Sequence, residues 1–263
     1  SIRRQRQMCI RDRGMVAMPG MTDAHVHMGC LFAKGEFPVD YATVLTVAKC
    51  KDALMAGFTT FRDAGSVSEG LKLAFDEGVL PGPRIYPCGA YISQTCGHGD
   101  SEYAHTYRDI QYRHPSSTVL VDGVPEIIRA VREQFYRGAS HIKLMATEIL
   151  NRHEDIRFLF GTDMMITGPD YQVEQSEDIR YYEKRFGTMR ALRALTGTAN
   201  EVFALTTYQN PYPKGKIGVL EAGSYADLLL VDGDPTKSVS VLADTDHLRL
   251  IMKGGTVYKN TLC

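Results

Sequence analysis

Two imidazoles separated by one residue, His25 and His27, are the side chains of this chain whose spacing most directly permits chemistry. On an extended strand, a period of two turns both to the same face. A zinc-like ion at a catalytic site takes imidazole and carboxylate ligands and keeps a position open for water, so such a strand supplies two convergent ligands at once. Taken alone the pattern is weak, because two exposed strand histidines satisfy it equally well.

The elements that must position this pair can be read along the chain. Met18-Pro19-Gly20 leads into a strand that carries Asp23, His25 and His27. Asp40 to Met55 has helical spacing of Val44, Val47, Ala48, Lys51 and Leu54 and stops at Gly57. A β-branched and aromatic run, Phe58 to Asp63, predicts a second strand, followed by a short helix over Leu71 to Glu77. Arg84 to Cys88 reads as a third strand opening into a polar loop with Gln94, His98, Asp100 and His114. Pro125 suits the first turn of a helix that ends at Arg137 and Gly138. His141 to Met145 and Ile156 to Phe160 read as further strands, the latter ending at Gly161-Thr162-Asp163. A helix is expected from Thr188, as N-cap, to Leu205.

Strands alternating with helices predict parallel α/β architecture with the polar residues at the carboxyl ends of the strands. From Lys216 the texture changes to short strands, Ile217–Leu220, Ala226–Val231, Leu248–Met252 and Thr256–Tyr258, separated by glycine turns. The expected division is an incomplete β/α barrel over 14–205 and a small β subdomain over 206–263. Residues 1–13, with five arginines and little to bury, read as a non-native basic segment outside the fold. The alternative reading, a nucleic-acid-binding arm, would show a steep loss of affinity with salt.

Composition excludes several classes. The chain has 263 residues, is 44% apolar and carries 30 basic against 31 acidic side chains, for a formal net charge of −1. It can bury a substantial core but offers no global field for nucleic acid or an anionic membrane. Six scattered cysteines without a C-x-x-C pair argue against a disulfide scaffold and fit a reducing, cytoplasmic setting. No run reaches the roughly 18 apolar residues of a membrane span.

The decapeptide Met18-Pro19-Gly20-Met21-Thr22-Asp23-Ala24-His25-Val26-His27 resembles the first-strand signature of the amidohydrolase superfamily. The likeness continues through Gly57–Gly65, Pro81–Ile85, Ser93–Asp100, Gly138–Thr147, Phe160–Asp163 and Ala226–Pro235, and is strongest to imidazolonepropionase-like and dipeptidase-like members. It implies a partial (β/α)8 TIM-type barrel with a small C-terminal β subdomain. It also implies hydrolysis of amide or cyclic-amide carbon–nitrogen bonds by metal-activated hydroxide. By resemblance His25, His27, Lys143 and Asp163 are metal ligands, with Lys143 carboxylated to bridge up to two divalent ions, zinc by expectation. Asp163 is also the catalytic proton shuttle and His98 a substrate or oxyanion contact. The partners implied are a small-molecule amide substrate and a second copy of the chain in a homo-oligomer, with neither nucleic acid nor a membrane.

The sequence departs from the family pattern in one interval. Two further histidine ligands belong on the fifth and sixth strands, yet Lys143 and Asp163 are closer together than one strand-helix-strand unit of roughly thirty residues. His153, in a polar connector, is the only histidine between them. The N-terminal strands of the β subdomain are likewise expected to be missing. This chain is therefore read as an impaired hydrolase, the alternative being a catalytically inactive fragment or binding module that keeps the fold.

Overall fold

The computed structural model describes residues 14–28, 39–65, 69–95, 97, 99–100, 118–144, 159–165 and 171–262. Residues 1–13, His98, His105, His114 and His153 lie outside that set.

Two four-stranded sheets and one two-stranded sheet organise the described chain. Strand β1 (Met15–Pro19) leads directly into β2 (Met21–His27), and helix α1 (Val39–Met55) returns the chain to β3 (Phe58–Asp63). Helix α2 (Glu69–Asp76) then connects to β4 (Arg84–Tyr86). These connections make β2, β3 and β4 parallel neighbours, and β7 (Met164–Met165) pairs in parallel with the other edge of β2. A parallel pair, β5 (Tyr91–Ser93) and β6 (Thr118–Leu120), lies beyond, with helix α3 (Val124–Tyr136) after it. As expected, Pro125 sits in the first turn of α3 and Gly138 follows its end at φ +92. Helices α4 (Tyr171–Phe186), α5 (Thr188–Leu195) and α6 (Gly197–Phe203) precede the last three strands, β8 (Leu228–Asp232), β9 (Leu248–Lys253) and β10 (Thr256–Asn260).

Several expectations need correction. His141 to Met145 is not a strand where described; it contributes a single parallel bridge, Leu144 to Ile92, beside a 2.9 Å bond from Ile92 N to Lys143 O. Leu159 and Phe160 are not in a strand either, and β7 begins only after Asp163. Thr188 is the first helical residue and not the N-cap, which is Gly187 without a side-chain bond. The single helix expected from Thr188 to Leu205 breaks at Thr196, where φ −132 and ψ −97 leave helical space and the hydroxyl donates back to Leu192 O at 2.7 Å. Ile217–Leu220 forms no strand: Gly218 sits at φ +75, and a Cβ there would fall 2.4 Å from Thr196 O. The small sheet has the order β1-β8-β9-β10, all antiparallel, so Met15–Pro19 supplies it with an N-terminal strand that the sequence reading placed in the barrel segment.

One continuous apolar core spans both four-stranded sheets. Met21, Phe58, Phe61 and Ile85 of the parallel sheet and Leu229, Val231, Leu248 and Ile251 of the antiparallel sheet are fully buried in the same cluster. Gly57, at φ +90, lets the two sheets close: a Cβ there would approach Met21, Leu229 and Leu248 at 3.0–3.1 Å. Period-two alternation sends Tyr86 away from Ile85, to a second cluster with Phe203, Tyr212 and Ile217, where the Tyr86 and Phe203 rings stack at 3.8 Å.

A buried polar bridge fixes the sheets against each other. Arg84 of β4 is ion-paired with Asp227, just before β8, and both are nearly inaccessible. Asp227 also accepts from Gly254 N at 2.7 Å, and the Arg84 guanidinium lies 4.2 Å from the Tyr225 ring centroid. Removing one partner of such a pair strands a charge in low dielectric, which costs far more than the pair itself contributes. Arg84→Met should therefore destabilise the chain by about 3 kcal/mol. The Arg84→Met, Asp227→Leu double variant should lose clearly less than the sum of the single changes in urea unfolding.

Candidate metal centre

The carboxyl end of β2 presents His27, buried, and His25, whose side chain is 40% exposed. The segment after Phe160 runs alongside and delivers Asp163 to the same point. Ala24 N bonds to Phe160 O at 2.8 Å and Asp163 N to His25 O at 2.8 Å, so the backbone register fixes which residue faces the histidines. Gly161 makes the approach close, since a Cβ there would lie 2.7 Å from His25 Cβ. Asp163 itself adopts φ +58, a left-handed conformation that costs a non-glycine residue about 1 kcal/mol.

The three donor atoms form a nearly equilateral triangle. His25 Nε2 and His27 Nε2 are 3.3 Å apart, and each is 3.3 Å from Asp163 Oδ1. Four ligands at zinc-like bond lengths of about 2.1 Å, arranged tetrahedrally, have mutual separations of about 3.4 Å. The triangle therefore matches one face of such a set, and the donors are of the right chemical kind. Among the described residues it is the one group of three or more His, Cys, Asp or Glu that could hold an ion.

The electrostatics favour the ligating forms. Burial, followed by the nearby Lys143 charge, lowers the His25 pKa to about 4, so this imidazole is neutral at ordinary pH. The hydrogen bond with His27 holds the Asp163 carboxyl below its ordinary range, against an opposing effect of burial, so it is an anion. Lys143 Nζ lies 3.1 Å from His25 Nε2, and burial lowers its pKa while Asp163 opposes the shift.

Of the residues singled out in the sequence, the structure brings together His25, His27, Lys143 and Asp163; His98 lies outside the described residues. Three others escaped sequence reasoning. His141, mostly buried, has Nε2 3.0 Å from Asp63 O and Nδ1 2.9 Å from Ser140 Oγ, and burial lowers its pKa to about 3. Arg62 lies near it, its Nη1 3.3 Å from Ala24 O. Asp23, quoted above only as part of a motif, is fully buried and bonded to Thr162. The alternating polar residues of β2 were a usable signal for Asp23; its partner was not predictable from spacing. A cleft of about 410 Å³ opens beside Arg62 and His141, but His25, His27 and Asp163 do not line it. With the Asp163 side chain 68% exposed, the triangle itself faces solvent.

Comparisons with known proteins bear on the family and the fold. Ochratoxinase of Aspergillus niger is 32% identical over 164 residues, covering 54% of this chain and 34% of the relative, so the chain spans about a third of that protein's length. Among solved structures, a prolidase complexed with N-methylphosphonate-L-proline gives a TM-score of 0.79 at 22% identity, covering 94% of this chain and 88% of the other. The crystal structure of the A. niger ochratoxinase gives 0.72 at 20% identity, covering 93% and 83%. At these identities the structural likeness speaks for the fold, a mixed α/β chain of the amidohydrolase type. The model of the amidohydrolase family matches residues 16–155, more than half of the sequence and including the His-x-His strand and Lys143; the chain belongs to the amidohydrolase family.

Proposed function

We propose that this chain is a piece of a metal-dependent amidohydrolase that cleaves amide or cyclic-amide carbon–nitrogen bonds. We further propose that its parallel strands are an arc of an incomplete (β/α)8 barrel. The observation that carries the reading is the 3.3 Å triangle of two imidazoles and one carboxylate at the carboxyl end of a parallel sheet. A divalent ion held by His25, His27 and Asp163 would supply the Lewis acidity that activates water against an amide carbonyl. Zinc fits this donor set best. Asp163, ionised and largely exposed, is the group positioned to accept the proton from the attacking water and return it to the leaving nitrogen. A small-molecule amide is the expected substrate.

Lys143 has a separate role in this reading. As an ammonium so close to His25 Nε2 it would oppose a cation electrostatically. Its lowered pKa raises the fraction of neutral amine, the form that adds carbon dioxide and releases a proton to give a carbamate. The carbamate is an anionic two-oxygen ligand, so metal occupancy and carboxylation reinforce each other. The interval from Lys143 to Asp163 is too short for the strands that carry the second imidazole pair in the family, so in this reading the chain is an impaired catalyst. The alternative, a catalytically inactive fragment or binding module, shares the fold but has no use for the ion.

Equilibrium dialysis against zinc with bicarbonate should find one ion bound per chain, and His27→Ala should remove it; an empty wild-type chain would overturn the reading. Labelling with carbon-13 bicarbonate should give a carbamate resonance that depends on zinc and is lost in Lys143→Arg. Against a panel of dipeptides, N-acyl amino acids and cyclic amides, turnover should be weak or undetectable. Vigorous metal-dependent turnover abolished by His25→Ala would show that the second imidazole pair is dispensable.

A further inference from the structure

Aspartate enters the left-handed region more readily than most side chains, yet the conformation is still strained relative to ordinary backbone, so its persistence at Asp163 needs a local cause. The surroundings supply one. Asp23, fully buried on β2, accepts three hydrogen bonds: from His25 N at 3.1 Å and Thr162 N at 3.2 Å through Oδ1, and from Thr162 Oγ1 at 2.7 Å through Oδ2. The same Thr162 hydroxyl accepts from Met164 N at 3.2 Å. Thr162 Oγ1 thus spans the strained residue, gripping the backbone on its far side while Thr162 itself is gripped by Asp23 on the near side.

From this geometry we infer that Asp23 and Thr162 form a clamp that holds Asp163 in its left-handed conformation and so keeps its carboxylate on the His25–His27 edge. Asp23 is a positioning residue, because it acts through Thr162 and through the His25 backbone and is not itself one of the three donors. The arrangement has a distinctive logic. One carboxylate fixes both halves of the triangle, orienting His25 through its amide and Asp163 through Thr162. Relaxing either contact lets Asp163 return to an ordinary conformation, which swings its side chain off the imidazoles. The functional significance of the clamp rests on the reading of His25, His27 and Asp163 as ligands; its conformational part does not.

The test therefore has two readouts. Thr162→Val keeps the size and branching of the side chain and removes both hydroxyl bonds, and Thr162→Ser restores them; Asp23→Asn weakens the other end. In metal-free crystals of Thr162→Val, Asp163 should leave the positive-φ region and its carboxylate should move off His25 and His27, while Thr162→Ser should keep the wild-type conformation. In cobalt titrations followed by visible absorption, Thr162→Val and Asp23→Asn should bind at least tenfold more weakly than wild type with an altered ligand-field spectrum, with Thr162→Ser close to wild type. A Thr162→Val chain that melts earlier yet keeps the Asp163 conformation would overturn the clamp. Retained conformation in Thr162→Val together with wild-type cobalt affinity would do the same. If wild type binds no cobalt, the ligand reading fails, while the metal-free crystals still decide the conformational claim.

Discussion

The pairing of β2 with the Phe160–Met165 segment is the contact through which the two ends of the candidate site meet, and it is a contact between parts of the chain far apart in sequence. Three backbone features make it: the bond from Ala24 N to Phe160 O, the bond from Asp163 N to His25 O, and the parallel ladder of Val26 and His27 with Met164 and Met165. Without them His25 and His27 would be two imidazoles on the end of a sheet edge. With them, a carboxylate is held at ligand distance from both. The apolar core stabilises this indirectly, because Phe160 and Met164 are buried in the cluster that contains Val26, Phe58 and Phe61. Burial thus sets the register, and the register places the donors.

The strand bearing His25 and His27 was legible because a period of two is a local property, and so were α1, α3, β3 and the glycines that end the helices. Other features depended on distant partners. Helix α4 was missed because its surface is strongly charged and, among its described side chains, only Gln175 and Ile179 are fully buried, too narrow an apolar stripe to show periodicity. The break at Thr196 follows from a hydroxyl bonding back to Leu192 O, and the missing strand at Ile217 from the packing of Gly218 on that broken helix end. The link from Asp23 to Thr162 joins residues 139 positions apart, beyond any spacing rule. Lys143 became a candidate through family resemblance alone, since a lone lysine before Leu144 carries no chemical signal of its own.

The openness of the triangle bears on what the chain can do. A catalytic centre gains from exclusion of water, which strengthens every charge interaction inside it. Here His27 is buried, whereas the Asp163 side chain is largely exposed, and the cleft beside Arg62 and His141 is not lined by the donors. The proposed ion site is thus open to solvent on its Asp163 side. That openness accompanies the proposal that this chain is an impaired member of its family. None of the described helices is long and apolar enough to cross a membrane.

The central claim is that this chain, as it stands, assembles a three-donor metal centre. Anomalous diffraction from crystals grown with zinc, collected on both sides of the zinc absorption edge, tests it most directly. The account predicts one strong anomalous peak equidistant from His25 Nε2, His27 Nε2 and Asp163 Oδ1, at about 2.1 Å from each. A zinc-soaked crystal with no peak at that triangle, or with zinc bound only at surface histidines, would contradict it.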